Sequence, residues 1–355
     1  MKLAPRGKGM CRKICILLVG LPGVALTQWI PQPSPTSERL RAVSAVSSTV
    51  VWASGNHGTI LRSTDAGVHW MALGVPETDS LDFRDVDAMS ASVAYALSIG
   101  EGDKSRIYKT TNGGVRWELS FMNRDPRGFF DAMAFWNESS GVAVGDAVDG
   151  RISVIRTSDG GLTWISVPPE NLPPALPGEG AFAASGTCVA VSGDSHVWIG
   201  TGVNCARVYR STNRGETWKV SATPLVSSTS STGVFSVLFV DDRHGVVVGG
   251  DYRNVRDDAG SSAFSTNGGE TWTLSSSLPS GFRSCVVAIS KASPSTIIAV
   301  GPSGSDYSLD GGRTWASIDT TGFHAVSFAG SKDAGWAVGE QGLIAGFKGI
   351  PVKEK

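Results

Sequence analysis

Six octapeptides built on one template constrain this chain more than any other feature. They are Ser63-Thr-Asp-Ala-Gly-Val-His-Trp70, Thr110-Thr-Asn-Gly-Gly-Val-Arg-Trp117, Thr157-Ser-Asp-Gly-Gly-Leu-Thr-Trp164, Ser211-Thr-Asn-Arg-Gly-Glu-Thr-Trp218, Ser265-Thr-Asn-Gly-Gly-Glu-Thr-Trp272 and Ser308-Leu-Asp-Gly-Gly-Arg-Thr-Trp315. Each reads S/T-x-D/N-x-G-x-x-W, and the closing tryptophans are 47, 47, 54, 54 and 43 residues apart. A period of that length marks a repeat architecture in which each unit buries its apolar face against its neighbours.

The chemistry of one octapeptide is that of a hairpin turn. Asp or Asn at the third position can bond backbone amides two residues on and tolerates left-handed geometry. Gly at the fifth supplies a positive φ without steric cost, and the Trp buries a large ring as the next strand begins. Asn stands for Asp in three copies, a replacement that an acid, base or nucleophile would not survive. Asp65, Asn112, Asp159, Asn213, Asn267 and Asp310 are therefore structural residues.

Two further apolar strands precede each third strand and its turn. In the third unit they are 132–135 and 141–145, followed by 152–156; in the last they are 325–328 and 335–339, followed by 343–347. Each unit thus reads a, b, c, turn, d: four short antiparallel strands, as in a propeller blade. Gly and Pro make up about a sixth of the 355 residues and Trp numbers 11, a composition suited to many turns and an aromatic all-β core.

The first 27 residues read as an address. Lys2, Arg6, Lys8, Arg12 and Lys13 precede an apolar run over 14–26, with small residues at 25–27 for cleavage, the pattern of a secretory signal peptide. The run is shorter than the ~20 residues that span a bilayer comfortably. The expectation is an exported protein, periplasmic or secreted, with no stable membrane insertion after cleavage; left uncleaved, the segment would be an anchor. Its removal takes five of the 31 basic residues and none of the 32 acidic ones. The remaining 328 residues carry a formal charge of −6, without the basic stripe that nucleic acid requires. At about 47 residues per unit, residues 28–355 hold seven blades, although only six turns occur. The last unit has strands a, b and c and then ends, whereas Gln28-Trp29-Ile30 resembles the segment that follows a turn. The N-terminal strand is expected to complete the seventh blade and protect its open edge.

These octapeptides resemble Asp boxes, or BNR repeats, known from sialidases and other secreted propellers. The unit from Phe323 to Phe328 with Gly335-Trp-Ala-Val-Gly-Glu-Gln-Gly342 is similar to the repeat of the photosystem II stability/assembly-factor family. The resemblance covers Trp29 to about Phe347. It implies an all-β, seven-bladed β-propeller of four-stranded antiparallel blades that acts as a monomeric binding or assembly scaffold for a protein or glycan ligand. It offers a sialidase-type glycoside hydrolase as the alternative.

Connectivity places the a–b and c–d turns on one face and the b–c and d–a connections on the other. The long segments 100–105, 146–151, 201–205 and 251–262 (b–c) and 122–128 and 168–180 (d–a) all belong to that second face, where a rigid scaffold carries variable binding loops. The Pro-rich stretch 168–178 reads either as a semi-rigid flap or as a plain surface crossover. Ten polar residues near the channel mouth are the candidate ligand contacts: Arg84, Asp85, Asp131, Asp146, Glu179, Asp251, Tyr252, Arg283, His324 and Glu340. In the hydrolase alternative, Tyr252 is the nucleophile, Glu340 or Glu179 its carboxylate partner, Asp131 or Asp146 the acid, and Arg84 and Arg283 the substrate-carboxylate clamp. The Phe-Arg-Ile-Pro signature expected of sialidases is absent; Phe83-Arg84-Asp85-Val86 is only an echo of it.

His57, His69, His196, His244 and His324 form no i, i+4 pair, and no glycine motif sits between a strand and a helix, so neither metal nor cofactor is expected. Cys188 and Cys205 fall about two strand spacings apart, ~9.6 Å, beyond disulfide reach unless a loop folds over strand b. Cys285 reads as a small core residue.

Overall fold

The computed structural model describes residue 1, residues 28–289, 296–330 and 334–350; residues 2–27, which hold the expected signal peptide's charged and apolar stretches and Cys11 and Cys15, lie outside them. In all six octapeptide turns the hydroxyl at the first position accepts the amide of the fifth-position glycine, as Ser265 does from Gly269 at 2.9 Å. The third-position Oδ1 accepts the amide four residues on, as Asn267 does from Thr271 at 3.1 Å. The reach is four residues and not the two expected of a simple Asx turn. Both central positions take positive φ, even where they are Ala66 or Arg214. Only an acceptor oxygen is needed at the third position, so Asp and Asn are interchangeable there. Replacing Asn267 by Asp should leave the urea midpoint nearly unchanged, whereas Asn267→Ala should cost about 1 kcal/mol.

Each turn joins strands c and d of a blade, and seven four-stranded antiparallel sheets result. The inner strands are Leu40–Ala45, Asp82–Ala88, Phe130–Phe135, Val189–Ser192, Thr232–Phe239, Cys285–Ala288 and Ala325–Phe328, here blades one to seven. Neighbouring inner strands pack in chain order, and the seventh packs back on the first. The N-terminal strand Trp29–Gln32 is the outer strand of blade seven and pairs with Ile344–Phe347, Trp29 opposite Phe347 and Gln32 opposite Ile344.

Because each sheet is apolar on both faces, the core among the described residues is divided into seven interblade clusters, with a small eighth one of Ala184, Phe235 and Phe282. The octapeptide tryptophan faces the preceding blade: Trp117 Nε1 donates to the Leu73 carbonyl, and Trp315 Nε1 to Ser262 Oγ. Where the sequence pattern leaves a loose connection over 146–151, the chain instead extends strand b to Val148 and starts strand c at Arg151. A two-residue turn at Asp149-Gly150, both at positive φ, joins them. The 168–178 stretch contains one 3-10 turn, Pro169–Asn171, and otherwise runs as irregular chain. Cys188, Cys205 and Cys285 are all free and buried, so no disulfide crosses strand b.

Candidate functional site

Strand a carries a β-bulge in four blades, at the end that meets the long-loop face. The register shifts lie between Leu40 and Ala42, Phe83 and Asp85, Phe130 and Ala132, and Val234 and Ser236. A bulge leaves one residue out of the ladder and re-aims its side chain. The four residues so displaced are Arg41, Arg84, Asp131 and Phe235. In blades six and seven the residue just ahead of strand a, Ser284 or His324, takes the same place, its amide bonded to strand b. These six side chains, one per blade, line a cavity of about 490 Å³ in the centre of the ring.

The cavity has walls of three kinds. Blades one and two supply Arg39, Arg41 and Arg84. Blade three supplies the carboxyls of Asp131 and Asp146. Phe129, Phe182, Phe235, Tyr252 and Phe282 make an aromatic shelf, in which Phe182 and Phe235 stack at 3.8 Å and 5° and Tyr252 stands edge-on to both. Arg41 and Arg84 each have an Nε–H with no partner among the described residues, and so has Asp131 Oδ2. Burial, with the nearby Arg84 and Arg39, lowers the Arg41 guanidinium to about 9. It remains cationic at neutral pH.

Asp131 is pushed well above the carboxylate range by burial and by its neighbour Asp146. Burial raises Asp146 to about 6. Among the described residues neither carboxyl has a salt bridge, and both are shifted toward the protonated form. Burial and Arg41 take His324 down to about 4. Its 2.9 Å contact with Glu340 is therefore a hydrogen bond from Nε2–H and not an ion pair at pH 7.

Of the ten residues proposed from sequence, Arg84, Asp131, Asp146, Tyr252 and His324 meet in this cavity. Glu340 stands beside it, bonded to Arg39 and His324; partial burial would raise its carboxyl, but those bonds hold it below its ordinary range. Asp251 caps its own turn by accepting the Arg253 amide. Three others have internal partners. Asp85 is buried and accepts the Met133 amide at 2.7 Å. Glu179 is bonded to Arg207, Thr201 and Tyr209. Arg283 is wholly buried against Asp306. The Tyr–Glu pairing of the hydrolase alternative is not formed, because Tyr252 contacts rings and main chain and neither Glu340 nor Glu179.

Arg39 and Arg41 escaped the sequence reading. A signal for them existed on the neighbouring strand: Gly55, Gly145, Gly249 and Gly301 lie in the last part of strand b, where a Cβ would collide with a carbonyl at or just ahead of the start of strand a. A glycine late in strand b thus marks the close approach at which the start of strand a delivers a residue to the channel.

No protein-family model and no curated protein matches the chain by sequence. Solved structures do match in fold. A structure of YCF48 bound to D1 peptide superposes with a TM-score of 0.62 at 17% identity, over 93% of this chain and 99% of that one. YCF48 from Cyanidioschyzon merolae gives 0.62 at 16% identity, over 90% and 99%. The GH74 xyloglucanase from Xanthomonas campestris gives 0.63 at 15% identity over 90% of this chain, which spans only 53% of that enzyme. The likeness to the assembly-factor and glycoside-hydrolase propellers is one of architecture, and this chain is a seven-bladed β-propeller of their kind.

Proposed function

We propose that this protein is an exported binding scaffold whose central cavity receives an acid-bearing segment of a partner protein. The observation that carries the reading is the pair of ring residues Arg41 and Arg84, two guanidiniums that line a cavity with aromatic walls. Hydrogen bonds from a guanidinium to an oxyanion are about twice as strong as neutral ones, so a pair of arginines in a partly apolar cavity favours an acidic ligand. The structural neighbour bound to D1 peptide supports a peptide as the occupant of such a propeller. The charged leader supports export.

The test is an array of short peptides with acidic residues and their amide counterparts, probed with the mature protein. Acid-dependent binding should fall about tenfold or more in the Arg41→Gln/Arg84→Gln variant and weaken as salt is raised. Equal capture of acidic and amide peptides would end this reading.

A glycoside hydrolase is the second reading, favoured by the two burial-raised carboxyls Asp131 and Asp146 in the same cavity as Tyr252. Fluorogenic glycosides separate the two, since turnover abolished by Tyr252→Phe would replace the scaffold reading.

A further inference from the structure

Six blades give the cavity a side chain from the start of strand a; blade four gives it a stretch of main chain and the Phe182 ring. Its inner strand has no bulge and begins only at Val189. The residues ahead of it cross the channel, bonded on every side. The Ala181 amide donates to Asp146 Oδ1 at 3.0 Å, and the Ala183 amide donates to Asp131. The Ala183 carbonyl accepts Arg84 Nη1 at 3.1 Å, and the Ala184 carbonyl accepts Arg41 Nη2 at 2.9 Å. Ser185 Oγ donates to the Ser284 carbonyl in blade six, and Thr187 Oγ1 lies 2.7 Å from Ser236 Oγ in blade five. One segment is thereby tied to blades one, two, three, five and six.

Two consequences follow from these bonds. A chain anchored on opposite sides of the ring cannot leave the channel open, so the cavity above it is blind. Each guanidinium is also fixed by a main-chain carbonyl, and Arg84 by Asp82 Oδ2 at 3.4 Å as well, so both are held in place at the cavity wall. Phe182 adds a flat apolar surface by stacking on Phe235.

We infer that residues 181–184 are a specificity-determining bridge, which makes the site take an oxyanion carried on a flat apolar body and inserted end-on. A chain threaded through the channel is excluded. The inference rests on the central cavity being the binding site and adds what shape of ligand enters it. The bridge is a positioning element: it acts through Arg41 and Arg84.

The probe is 2-naphthoate, with 2-naphthamide as its neutral counterpart, titrated by fluorescence against the mature protein. Naphthoate should bind at least about tenfold tighter than the amide. Two substitutions loosen the bridge without touching an arginine. Phe182→Ala removes the stack, and Gly186→Ala places a methyl against Asp85 Oδ1 at a φ of 76°. Each should weaken naphthoate about tenfold while melting as one cooperative transition, and Phe182→Tyr should restore binding. Should either alanine variant fail to fold, the comparison of Phe182→Leu with Phe182→Tyr decides the matter by the same readout.

Folded variants that bind naphthoate as well as the parent, or better, would overturn the inference, because the bridge would then be mere filling or a competitor. No naphthoate binding by the parent, with acidic-peptide capture intact, would also overturn it and leave the scaffold reading standing. Loss of acid-dependent peptide capture is the separate failure of the scaffold reading.

Discussion

Deleting residues 28–32 from a chain that begins at Gln28 should lower its unfolding free energy by ~5 kcal/mol or more, a large share of the 5–15 kcal/mol typical of a folded protein. The strand they form touches three blades at once. Trp29 is 2% exposed, packs between Phe323 and Phe347 at 5.1 and 4.9 Å, and donates from Nε1 to Ser305 Oγ in blade six. Gln32 Nε2 donates to the Ala66 carbonyl in the first octapeptide turn. Trp29→Ala alone should cost about 3–5 kcal/mol. Truncation also strips Ile344–Phe347 of its ladder partner and exposes a flat edge to other chains. Because the ring has no free end, the loss should appear as one transition shifted to lower urea, with a tendency to self-associate on light scattering. A truncated chain that unfolds at the parent's midpoint would show that the closing strand contributes nothing to the ring.

That closure was legible in the sequence for a definite reason. Six turns and seven strand triplets cannot be matched without one strand from elsewhere, and Gln28-Trp29-Ile30 was the segment of the right type. The octapeptides were equally plain, since Asp159 and Asn213 do the same work through one acceptor oxygen. The site was legible only in part. Arg84 and Asp131 could be placed near the channel from their position at the start of strand a. Arg41 could not be separated from an ordinary surface arginine, because a bulge shifts orientation by one residue and alternation alone does not reveal it. The bridge at 181–184 was still less visible. Gly-Ala-Phe-Ala-Ala-Ser-Gly carries neither charge nor strand pattern, and its importance lies in main-chain groups whose partners come from blades one, two and three.

The pair Arg283 and Asp306 shows why a charged residue near the mouth need not be a ligand contact. Both side chains are 1% exposed. Arg283 Nε donates to Asp306 Oδ2 at 2.6 Å, while Nη1 donates to the Phe282 carbonyl and to Ser303 Oγ. Asp306 Oδ1 accepts both the amide and the hydroxyl of Ser280. Burial lowers the arginine from its ordinary value, with Asp306 opposing that shift. Such a pair returns little net stability over an apolar replacement, but removing one partner strands a charge in the core. Arg283→Met should therefore destabilise the protein by about 3–5 kcal/mol in urea titrations at pH 7, and Arg283→Met/Asp306→Leu should recover most of the loss. A double variant no more stable than Arg283→Met would mean that the cost is lost packing and not a stranded charge.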